Sequence, residues 1–438
     1  MSTVLPILVP ALIGLWIVAA YYYGLPVLKL LTAAPSPGGP SSVVEGGGPL
    51  PDAYRSLATV VTALAQLALI RYFGYATTSA LVLMVLLLSS VAIAAEAYLS
   101  GRKLGLRAVS VYFLTYLVYW AVEKYILTPT FLPVLEGLAP RVAGFSADMK
   151  LLAMVGVSYV GFKLLHFVVD LRRGDIASVN PLEFISWLMF FPSILAGPMM
   201  RFQDWEAQRR MIAVTPEMLM EGLQRMILGL FMKLVVADTV HAGTIAGASE
   251  GMLAQSSFLE IAFACCLYYV YLFFDFAGYS HIAIGAGLFW GIRLPENFNK
   301  PFIARNLSDF WNRWHISLST ILRDYLFYPM SLTMKRSAFF RSRQNLATIL
   351  PPLITFLIAG VWHGAGLNFV IFGGVHGIGL AALALMKRAK TKNAFAAWWA
   401  SSPVGYLGSI AITFLYVSFG MLFFALRWPS LMVLWHRL

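Results

Sequence analysis

Charge is scarce in this 438-residue chain: Asp, Glu, Lys and Arg make up 12% of it, against 59% hydrophobic residues. With a mean hydropathy of +0.75, that scarcity excludes a soluble chain of two or three domains and reads as an all-α polytopic membrane protein. Cysteine is nearly absent. Cys265 and Cys266 are adjacent in an apolar run, where neighbouring thiols seldom meet disulfide geometry and two alone make no metal site, so both read as small buried hydrophobes. The sequence has no H-x-x-x-H, no HExxH and no carboxylate cluster, so no metal is expected. It lacks G-x-x-x-x-G-K-[ST], which argues against ATP-driven pumping, and G-x-S-x-G, which argues against a serine elbow. A basic n-region and an A-x-A-like site are also missing, so Val4 to Tyr23 reads as a retained span.

What is present is a series of apolar windows near 4–31, 54–73, 75–99, 106–128, 151–170, 181–199, 222–240, 257–290, 348–361, 366–386 and 404–427. They predict about eleven transmembrane helices, and 257–290 is long enough for two. Residues 1–150 form an N-terminal group of spans interrupted at 33–52 by a flexible Pro/Gly/Ser-rich loop. Residues 386–438 hold a basic loop and a last span. The formal charge of +12 fits cytoplasmic loop bias, and with no nucleic-acid module in view, nucleic acid is not an expected partner. Arg102, Lys103 and Arg107, Arg172 and Arg173, Lys335 to Arg343, and Lys387 to Lys392 should face the cytoplasm.

The sharpest feature is a polar island in this oily background, PENFNKPFIARNLSDFWNRWHISLSTILRDYLFYP from Pro295 to Pro329, followed by GVWHGAG at Gly360 to Gly366. Ionisable groups at membrane depth are costly and usually face a cavity or a substrate path. A solvated loop and helix between two spans is the plainer alternative. Ser308 is a plausible N-cap for a helix beginning at Asp309, and Asp309 and Arg313 can pair at i, i+4. Asn312, His315, Ser319 and Arg323 then make one polar stripe, lining a cavity or wetting an interfacial helix.

Among seven histidines, His363 stands out between Trp362 and Gly364 in an apolar segment, where burial favours the neutral imidazole that a general base requires. His376 reads as a packing or hydrogen-bonding residue. Without a serine or cysteine elbow, acyl transfer would be direct, with histidine activating the acceptor.

At these residues the chain resembles the membrane-bound O-acyltransferase family. The resemblance covers 180–385 and runs through FFPSILAGPMMRF, FDFAGYSHIAIGAGLFWGIRLPENFNKPF, DFWNRWHISLS, RDYLFYP and GVWHGAG. It implies a catalytic core at 180–385, with a ring of helices around a funnel. A thioester on phosphopantetheine, carried by an acyl carrier protein or coenzyme A, is then the cytoplasmic donor, and no cofactor is tightly bound. By the resemblance His363 is the base and His315 the second catalytic position. Asn312, Arg313, Trp311, Ser319, Arg323, Asp324, Trp362 and Asn299 are its substrate-binding residues. DFAGYS and PENFNKPF are similar to the bacterial polymer-modifying branches, which O-acetylate alginate or transfer D-alanine to teichoic acid. RDYLFYPMSLTMKRSAFF lacks the P-L-G-G segment of the acetylating branch and leans towards D-alanyl, whereas WHISLST and PENF lean towards acetyl. The resemblance also implies an extracytoplasmic acyl-transfer partner protein and a bacterial inner or plasma membrane location. A transporter or channel, or a non-catalytic scaffold of a polysaccharide secretion complex, remains the alternative.

Overall fold

The computed structural model describes residues 159–436, apart from 177–178, 189, 212–213, 365, 390–397 and 400. The N-terminal spans, the 33–52 loop and the basic residues at 102–107 lie outside the described residues. No extended strand appears among those described. The chain divides into two compact units: one runs to Gly222 and includes Ala286–Arg293, and the other comprises Leu223–Gly285 and the chain from Leu294.

The first unit contains helices α1 (residues 159–173), α2 (Pro181–Leu188) and α3 (Phe202–Arg210). The apolar window 181–199 is not one span. After α2 there is only the short helical turn Phe191–Ile194, then a turn and irregular chain through Gly197 and Pro198, because Pro192 and Pro198 interrupt the backbone donors a long helix needs. Phe167, Trp187 and Phe202 pack ring on ring at 5.2–5.6 Å. Lys163 is buried beside them, donating to the Trp187 and Leu188 carbonyls at 3.3 and 3.4 Å and to Ser193 Oγ at 3.0 Å. Its amino group thus supplies donors to the orphan carbonyls at the end of α2.

The second unit carries most of α4 (Pro216–Phe231), which continues through a π-helical stretch at Met232–Ala237. It also carries most of α5, a single unbroken helix of 32 residues over Phe258–Phe289. By length alone, 257–290 could have held two helices. The segment contains no proline and its glycines fall late, so nothing forces a break. Further on come the short helices α6 (Leu307–Trp311) and α7 (Ile316–Leu322) and the long α8 (Gln344–His363), α9 (Leu367–Ala389) and α10 (Pro403–Ala425). Among the described residues, α5, α8, α9 and α10 are long and apolar enough to cross a membrane. They are apolar around most of their circumference, as lipid-facing helices must be.

Helices α8 and α9 form a hairpin whose backbones touch. A Cβ on Gly360 would strike the Phe369 carbonyl and Gly373, and one on Gly373 would strike the Phe356 carbonyl. Lipid drives no hydrophobic association, so such close approach of small residues is what holds membrane helices together. Gly373→Val is expected to destabilise the detergent-solubilised protein by about 1–3 kcal/mol; an unchanged thermal midpoint would contradict this packing.

Candidate active site

The site is built where α6 and α7 meet. Asn306, not Ser308, caps α6: its side chain accepts from the Asp309 N–H at 3.0 Å, and Ser308 lies inside the helix. Asp309 does pair with Arg313, at 2.8 Å. The helix then stops, and His315 takes φ +44, a left-handed conformation that non-glycine residues adopt only under strong local constraint. The expected continuous polar stripe is therefore broken. His315 is buried, whereas Asn312 and Arg323 are exposed.

Aromatic packing fixes the approach to His315. Phe310 and Trp314 are buried in a core with Tyr269, Phe372, Val417 and Met421, and Trp314 meets Phe298 edge-to-face at 5.0 Å and stacks on Phe310 at 5.6 Å. On α5, the Phe276 ring meets the His315 imidazole edge-on at 4.7 Å.

His363 is the last residue of α8, half-buried among Trp362, Phe372 and Phe424 at 4.6, 5.7 and 5.0 Å. Burial first, and then the neighbouring His363, holds the His315 imidazole well below the ordinary histidine range. Two imidazoles from different elements, each set among aromatic rings, offer the site one group to take a proton and another to give a hydrogen bond.

The other expected residues divide. Trp362 is buried beside His363. Trp311 packs on Phe356 at 4.7 Å and on His376 at 5.2 Å, its indole N–H without an acceptor among the described residues. Ser319 gives its hydroxyl hydrogen to the Trp314 carbonyl at 3.1 Å. Arg323 pairs with its neighbour Asp324 at 2.8 Å. Asn299 is exposed and meets Arg313 through its backbone: its carbonyl accepts from Arg313 Nη1 at 3.2 Å. Sequence reasoning missed Phe276, Phe424 and the buried Asn297. Asn297 lies inside the PENF motif, so its position between a long span and the histidine segment was the available signal.

The membrane-bound O-acyltransferase (MBOAT) family model matches residues 62–426, extending beyond the motif-bearing stretch at both ends. The chain is similar to a probable alginate O-acetylase of Pseudomonas aeruginosa, 37% identical over 65% of this chain and 51% of the relative. A teichoic acid D-alanyltransferase of Bacillus subtilis is 30% identical over 63% and 69%. A peptidoglycan O-acetyltransferase of Helicobacter pylori is 39% identical over 46% and 37%. The matched part of the chain spans about half the length of the alginate relatives.

Proposed function

Because the chain belongs to the membrane-bound O-acyltransferase family, we propose that it is a membrane O-acyltransferase. It moves an acyl group, acetyl or D-alanyl, from a thioester donor to a hydroxyl of a cell-surface polymer or of a partner protein that serves it. The observation that carries this reading is that a buried His315, with the Phe276 ring against its imidazole, and a half-buried His363, set among Trp362, Phe372 and Phe424, come from different elements and lie near enough for His363 to bear on His315. His363 takes the proton of the acceptor hydroxyl as its oxygen attacks the thioester carbonyl. The new C–O bond forms, the C–S bond breaks, and the proton leaves with the thiol. His315, neutral, donates a hydrogen bond to the oxyanion or orients the donor.

The donor is a phosphopantetheine thioester on an acyl carrier protein or coenzyme A, delivered from the cytoplasmic side of the bacterial inner or plasma membrane. Lys335, Arg336, Arg341 and Arg343 are all exposed and give that side a positive face that suits an acidic carrier or a phosphorylated donor. Reversing all four to glutamate is expected to slow acyl transfer at low salt and flatten its salt dependence; unchanged kinetics would leave these residues as topology signals.

The reading is tested by reconstituting the protein in lipid vesicles with acetyl- and D-alanyl-thioester donors and a hydroxylated polymer. Ester formation with stoichiometric release of thiol from one of the donors is expected. Release of neither thiol nor ester, with correctly inserted protein and the partner protein supplied, would overturn it.

A further inference from the structure

The strained backbone at His315 is clamped from both sides by one short segment. Before the histidine, the Asn299 N–H donates to the Arg313 carbonyl at 2.9 Å. After it, the Ile316 N–H donates to the Asn297 carbonyl at 2.9 Å. The Asn297 side chain completes the grip. Its Oδ1 accepts from Ser317 Oγ at 2.6 Å and from the Ser317 N–H at 3.4 Å, while its Nδ2 donates to Ser280 Oγ at 3.1 Å.

Asn297 is 1% exposed and Ser280 3% exposed, so these bonds form away from solvent, where their geometry is best defined. Ser280 stands four residues after Phe276 on α5, on the same helix face. That face therefore supplies both the ring against the imidazole and the hydroxyl that anchors Asn297.

We propose that Asn297 is a positioning residue for His315, fixing its backbone and hence the direction of its imidazole through Ser317 on one side and Ser280 on the other. This rests on the reading that His315 takes part in acyl transfer. Aspartate offers Ser280 only an acceptor and would bring a charge into this buried site; glutamine is a methylene too long.

The test is a set of kinetic cycles on the full-length protein in lipid vesicles. Asn297→Ala and the milder Ser280→Ala are each measured in the parent and in a His315→Ala background, by single turnover where rates are low, alongside thermal midpoints in detergent. Asn297→Ala is expected to lower kcat about ten- to a hundredfold with donor KM little changed. In the His315→Ala background it should add almost nothing, because the group it aims is gone. Ser280→Ala should follow the same pattern with a smaller loss, and it decides the matter if Asn297→Ala does not fold. A loss that multiplies in full on top of His315→Ala, or an unchanged kcat in both variants, overturns the inference while leaving the enzyme reading intact. Parental rates in His315→Ala itself overturn both.

Discussion

Replacing His363 with alanine is expected to reduce acyl transfer by about 10²–10⁴-fold, or about 3–5 kcal/mol of barrier. The variant should still insert and still bind donor. The reason lies in the acceptor: an alcohol hydroxyl is far too weak an acid to ionise near neutral pH, so attack on the thioester requires a base within reach. His363→Gln sharpens the result. Glutamine keeps hydrogen-bonding capacity and much of the volume against Trp362, Phe372 and Phe424, but it cannot take the proton. It should be nearly as slow as alanine, whereas a transporter using the same polar path would keep its flux.

His315→Ala is expected to cost about 10²–10³-fold in kcat if the imidazole serves the developing oxyanion, the usual consequence of losing one such donor. A second, independent readout follows from its burial. In the unfolded chain this histidine titrates near about 6.5, whereas the folded protein holds it well below its ordinary value. As the pH falls through that window, the unfolded state binds the proton first, so the folded state loses stability on acidification and recovers it as the pH rises. Thermal midpoints of the parent should therefore drop below about pH 6.5, and His315→Gln, which cannot titrate, should drop less. Parallel pH profiles for the two proteins would contradict a neutral, buried His315.

Both histidines were singled out in the sequence, His363 by its apolar setting between Trp362 and Gly364 and His315 by the resemblance at the RWH element. The all-helical membrane character was equally plain from hydropathy. The local backbone at His315 was not. Periodicity assigns Asn312, His315, Ser319 and Arg323 to one face of one helix, but α6 ends at Trp311 and the chain turns through a left-handed His315. That turn is set by bonds to residues 297 and 299, well away in sequence, which no local pattern encodes. The N-cap moved from Ser308 to Asn306 for a related reason: either side chain can cap a helix, and the choice depends on where Phe310 and Trp314 must enter the core. Asn297 escaped notice because a buried asparagine has no periodic signature. Its role is visible only once Ser280 and Ser317 are seen on either side of it.

The central claim is that His315 and His363 act as one catalytic unit, and the most direct measurement is a single-turnover cycle of the parent, each single alanine variant and the double variant, with saturating thioester donor. Groups that serve one transition state are strongly non-additive, so the double variant is expected to be scarcely slower than the slower single variant. Losses that multiply in full across the two histidines, or a His363→Ala protein that transfers acyl groups at the parental rate, would contradict the account.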